Sequence, residues 1–143
     1  MNPQDVAIYK EIQRNTDMAM KAIDTIGDKV YDDNLALQIS RQSLKYSELF
    51  NEATKELIAA KADTYQSGAM EDIMLKAGIH MNTFLDTSTN HIAEQMIKGS
   101  NMGVLEMEKI LHQNEGASEK PVALAQELLD FEEKNIERLK SYL

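Results

Sequence analysis

The chain has 143 residues, 43% of them hydrophobic and 27% charged, with a net charge of −9. That length fits one domain, residues 1–143, able to bury roughly 68% of its extended surface without disulfides or metal. The acidic balance argues against nucleic-acid backbones and anionic membrane surfaces. The absence of cysteine excludes thiol catalysis, Fe–S clusters and thiolate zinc sites.

Met1 to Glu11 lacks a basic-then-apolar pattern, and no window approaches 18 uncharged apolar residues. Neither a signal peptide nor a membrane span is expected, and the expected location is cytoplasmic. Two prolines, six glycines and few aromatics favour helices over a turn-rich β fold.

The first helix opens with Asn2 as cap and Pro3 in the first turn. Ile8, Ile12, Ala19, Ile23, Ile26 and Val30 trace one face, and Asn15 sits on the same face. Gly27 marks the C-terminal end. After a short turn over residues 28–33, a second helix runs from about Asn34 to about Ala62. Its stripe is Leu35, Ile39, Gln42, Tyr46, Leu49, Ala53, Leu57 and Ala60, with two polar side chains in the middle.

Residues 63–68 read as a loop. Ala69 to Leu85 reads as a shorter helical segment with Met70, Ile73, Met74, Ala77, Met81 and Phe84 at helical spacing. The DTSTN run at 86–90 has poor helix propensity and good capping chemistry. A break is expected there, because an unbroken helix to Asn114 would be ~69 Å long and largely unpartnered.

The third long helix carries Ile92, Met96, Gly99, Gly103, Met107 and Ile110 on its inward face and ends near Asn114, with Gly116 beyond. The last helix begins near Ser118. Val122, Ala125, Leu129, Glu132, Ile136, Leu139 and Leu143 form its seam, widened by Leu124, Leu128 and Phe131. No internal repeat or low-complexity tract is present. The sum is an all-α, antiparallel up-down-up-down four-helix bundle with one extra short segment between the second and third long helices.

Bundles with inward polar groups can hold two metals, using a Glu-x-x-His from each of two helices. This chain has no Glu-x-x-His; the nearest forms are Glu132-x-x-Asn135 and Glu48-x-x-Asn51. Asparagine is a poor transition-metal ligand beside imidazole. His91 and Glu94 give the reversed spacing and, with Glu132, form a degenerate candidate for iron, manganese or copper. Glu108 and His112 form a second pair, more simply read as solvated. Nine methionines, several near His80, suit Cu(I) chemically, but their spacing follows a core. His91 with Ser88 or Asp86 lacks any nucleophile-elbow motif.

Gly99 and Gly103 each cost about 1 kcal/mol against alanine inside a helix. Close approach of a neighbour, such as Tyr46 or Phe131, would offset that; a ligand against the backbone is the alternative. Glu132 interrupts an apolar seam. Buried, it requires partners, with Asn15, Gln42, Tyr46 and His91 as candidates. Gly99, Gly103 and Glu132 are therefore the candidate ligand-facing residues.

Residues 81–107, MNTFLDTSTNHIAEQMIKGSNMGVLEM, and the final FEEKNIERLKSYL resemble small uncharacterised bacterial helical-bundle proteins of the ferritin-like superfamily. The resemblance implies the four-helix fold and no particular activity. The expected role is binding of a protein partner or self-association, without catalysis or a resident cofactor. The alternatives are the degenerate metal site and a small ligand held in the bundle core.

Overall fold

The computed structural model describes residues 1–68 and 86–143. Among the described residues the chain is helical, without strands, and consists of four long helices packed around one core: α1 (Pro3–Ile26), α2 (Asp33–Ala59), α3 (Thr89–Gln113) and α4 (Glu119–Leu139). Short 3₁₀ turns follow α1 at Gly27–Lys29 and α4 at Lys140–Tyr142. No described helix is long and apolar enough to cross a membrane. The segment Ala69–Leu85, with His80 and the methionines Met70, Met74 and Met81, lies outside the described residues.

Local chemistry explains the ends of α1 and α2. Asn2 caps α1 by accepting from the Asp5 N–H at 2.8 Å, while Asp5 accepts from the Asn2 N–H at 3.3 Å. This reciprocal box satisfies two backbone donors that the first turn leaves free. Gly27 follows α1 in right-handed conformation, so the chain tightens into 3₁₀ instead of adopting the left-handed glycine cap. Asp32 caps α2 through the Leu35 N–H at 2.8 Å.

The end of α2 departs from the sequence reading. Lys61 adopts φ 55°, and the Ala62 N–H reaches back to the Leu57 carbonyl at 2.9 Å. A lysine thus performs the left-handed turn usually given to glycine, closing a Schellman-type cap. The helix therefore stops at Ala59, short of Ala62, and Ala60 is exposed rather than inward. The expected break before the third long helix is present: residues 86–88 are non-helical, and α3 begins at Thr89.

Side-chain contacts fix helix directions. Gln13 of α1 donates to Thr54 of α2 at 2.7 Å, so α2 runs back along α1 from the turn that joins them. Gln4 and Asn15 of α1 bond Gly116 and Gly103, so α3 also runs antiparallel to α1. On α4, Lys120 meets Glu56 at 2.6 Å and Lys45 meets Glu127 at 2.7 Å, antiparallel to α2. In chain order the directions are therefore up, down, down, up. The up-down-up-down order does not hold, because α2 ends and α3 begins at opposite ends of the bundle. The described part of the α2–α3 connection starts along α1, with the Tyr65 N–H on Gln13 and Ser67 on Lys21.

The core is built from Ile8, Ile12, Leu35, Leu49, Leu57, Met107, Leu128 and Leu139. On α4 the innermost line is Pro121, Ala125, Leu128, Glu132, Asn135 and Leu139, spaced by four and three. It shares Ala125, Glu132 and Leu139 with the expected seam, whose Leu129 is buried as well, and departs from it at Pro121, Leu128 and Asn135. Val122 and Leu143 are consequently exposed and Ile136 is only half-buried, while Asn135 is fully enclosed.

Candidate functional site: a polar-floored cavity in the bundle

A cavity of about 230 Å³ opens between the C-terminal half of α1 and the N-terminal half of α3. Met18, Ala19, Ala22 and Ile23 of α1 face Ile92 and Met96 of α3 across it. Its inner side is polar: Asn15, Gln42, Tyr46, Ser100 and Glu132 come from all four helices, and His91 stands toward one end.

Glu132 is 2% exposed and anchors the floor. The Tyr46 hydroxyl donates to its Oε1, and Asn135 Nδ2 donates to the same oxygen at 3.0 Å. Ser100 adds a further side-chain hydrogen bond. Burial raises the Glu132 carboxyl above the ordinary glutamate range, and these three donors oppose the rise. Burial likewise pushes Tyr46 well above its usual value, helped by the carboxylate beside it. The Tyr46 ring packs edge-on against Phe131, with centroids 5.3 Å apart. That contact fixes the ring and so aims the hydroxyl.

Tyr46 alone, of the four partners expected for Glu132, is bonded to it. Asn15 instead donates to the Gly103 carbonyl at 2.9 Å. Ser100 is not among the expected partners, and Asn135, paired with Glu132 only as a failed metal motif, is a hydrogen-bond donor to it. The usable signal for Asn135 was its i, i+3 spacing from Glu132 on a helix, which puts both on one face.

The two glycines play different parts. A Cβ on Gly103 would meet Asn15 Oδ1 at 2.9 Å and Glu132 Oε2 at 3.5 Å. Close packing is therefore the reason for Gly103, but the tight neighbour is Asn15, not Tyr46 or Phe131. A Cβ on Gly99 would meet nothing within 4 Å. Close packing fails as an account of Gly99, which does not face inward as expected but is exposed at the cavity rim.

Both polar atoms of the Gln42 amide are buried without a hydrogen-bond partner among the described residues, as are His91 Nε2 and Asn135 Oδ1. Gln42 is 2% exposed and lines the cavity. Buried amides are normally satisfied, and each unmade bond costs about 1–3 kcal/mol. At the other ring nitrogen of His91, Nδ1 stands 4.0 Å from Asp86 Oδ2, while Asp86 Oδ1 accepts from the Ser88 N–H at 2.9 Å. Ser88 has no side-chain cap bond.

The structure does not assemble His91, Glu94 and Glu132 into one ligand set. His91 and Glu132 share the cavity, but Glu94 is exposed and pairs with Lys98 at 3.5 Å. Among the described residues no three His, Cys, Asp or Glu side chains are close enough to hold a metal ion. Glu108 and His112 stand 4.0 Å apart at the exposed end of α3. No known protein family, curated protein or solved structure matches this chain.

Proposed function

We propose that the protein binds a small, largely apolar ligand in the cavity between α1 and α3. The observation that carries this is the Gln42 amide, buried in the cavity wall with donor and acceptor both unmet among the described residues. Such pockets join apolar walls to a few placed polar groups. An apolar cavity of about 150 Å³ suffices for benzene, and about 230 Å³ admits a ring with a short tail.

The test is titration with 2-phenylethanol followed by methionine-methyl NMR. Met18, Met96 and Met102 line the cavity, whereas the fully buried Met107 does not. Saturable shifts at the three lining methyls, with Met107 unmoved, are expected. Unsaturable or uniform shifts would defeat the proposal.

We also propose a ferritin-like arrangement for the bundle. Its support is the up-down-down-up order, which needs one long crossover between α2 and α3, as ferritin-like bundles have. Glu132 and Asn135 stand inward at the spacing of Glu-x-x-His. With an amide for the imidazole, the set favours hydrogen bonding over metal ligation. Self-association or a protein partner is a second reading, supported by Leu37 and Leu44, exposed two turns apart on α2. It predicts a dimer in sedimentation that Leu44→Glu abolishes.

A further inference from the structure

The geometry points to an amine as the ligand: an apolar body carrying a cationic ammonium head that meets Glu132 on the cavity floor. This rests on the ligand-binding reading above and adds the sign of the ligand's charge.

Glu132 lies in the cavity wall, almost wholly removed from water. Among the described residues its contacts are a phenol, an amide and a hydroxyl, and no lysine, arginine or histidine pairs with it. Arg14, at the cavity margin, is engaged with Glu11 at 3.2 Å. Buried carboxylates are ordinarily paired with a cation, because desolvation otherwise penalises the charge. The donors around Glu132 are arranged for its ionised form, since Tyr46 and Asn135 both donate to Oε1.

The other oxygen, Oε2, is the one turned toward Gly103, 3.5 Å from where a Cβ would stand. A Cβ there would only touch this oxygen at ordinary contact distance, and a longer side chain would cover it. Gln42 Oε1, also without a partner among the described residues, supplies a second acceptor for an ammonium, which offers three donors. A carboxylate ligand would instead set like charges together in a low-dielectric pocket.

The test uses three probes sharing a phenyl ring: 2-phenylethylamine, 2-phenylethanol and 3-phenylpropionate. The amine should bind about tenfold tighter than the alcohol, the scale of one charge-assisted hydrogen bond. The propionate should bind weakest. In Glu132→Gln the amine's advantage should vanish while alcohol binding persists. As a readout independent of that variant's folding, the Glu132 carboxyl ¹³C resonance should move with amine and not with alcohol. Gly99→Leu, which fills open space, should remove binding of all three.

Equal binding of amine and alcohol, both blocked by Gly99→Leu, would overturn the charge assignment and leave the cavity reading standing. Preference for the propionate would overturn it as well. If no probe binds, the cavity reading falls and this inference falls with it.

Discussion

The two ends of the bundle are built on opposite terms. At the end where α1 and α4 begin, polar groups are matched closely. Asp5 accepts from the Ser118 N–H at 2.7 Å, the Ser118 hydroxyl at 3.0 Å and the Asn2 N–H at 3.3 Å. Gln4 accepts from the Gly116 N–H at 2.7 Å. In the other half, Gln38, Gln42, His91 and Asn135 each bury a polar atom without a hydrogen-bond partner among the described residues, and the cavity opens there. Natural interiors are close-packed and hydrogen-bonded. One half meets that standard and the other departs from it where space and unmet polarity coincide, the combination expected of a binding site.

The sharpest way to break this contrast is to truncate one core side chain in each half. Leu57, fully buried at the closed end, should cost ~4 kcal/mol as Leu57→Ala. Ile23, which borders the cavity, should cost ~2 kcal/mol as Ile23→Ala, because it already lacks neighbours on one side. Urea unfolding followed by circular dichroism measures both. Equal losses would show that the cavity half is as tightly packed as the other.

Asp5→Ala comes next. It removes the α1 capping box and leaves the Ser118 N–H without its acceptor, for a loss of ~2 kcal/mol. The effect should depend on pH. The Ser118 backbone N–H, assisted by the Ser118 hydroxyl and the Asn2 N–H, holds the Asp5 carboxyl below its ordinary value. A carboxyl lowered on folding contributes stability above its unfolded pKa and loses it as pH falls through the folded one. The gap between parent and Asp5→Ala should therefore be full at pH 6 and narrow steadily below about pH 4. A gap constant down to pH 2 would contradict the pairing.

The smallest expected effects are the most discriminating, because the two glycines should respond with opposite signs. Gly99→Ala places a methyl in open space and recovers helix propensity, a gain of about 1 kcal/mol. Gly103→Ala presses on the buried Asn15 amide, whose bond to the Gly103 carbonyl must lengthen or break, so a net loss of about 1 kcal/mol is expected. Thermal melts of the two variants side by side decide the matter.

These glycines also show what could be read from the sequence. Helical periodicity and capping residues located all four long helices, with the start of each within a residue or so. Spacing treated Gly99 and Gly103 as one motif, because a repeat of four places both near one face. Which of them touches a neighbour depends on where Asn15 of α1 arrives, and no local pattern carries that. The α4 seam shows the same limit. Leu128 and Leu129 are adjacent and Ile136 follows Asn135, so two lines of equal spacing fit the apolar residues. Packing chose the line through Pro121 and Asn135, placing an amide beside Glu132 where the sequence reading put isoleucine. Glu132 itself was legible, since a carboxylate in an apolar seam stands out under either line. The end of α2 was not, because lysine rarely signals a left-handed turn.

The contacts of Gln4 and Asp5 with Gly116 and Ser118 have a further consequence for how the chain folds. They join positions 112 and 113 residues apart. The α1–α2 and α3–α4 hairpins can each close through short turns, early and independently. The clip between residues 4–5 and 116–118 becomes available only when the two hairpins have docked. If they dock one helical turn out of register, a slip of ~5.4 Å, the Gly116 and Ser118 N–H groups lose their acceptors. The clip thus acts as a proofreading step, rewarding only the alignment that also brings Asn15 opposite Gly103.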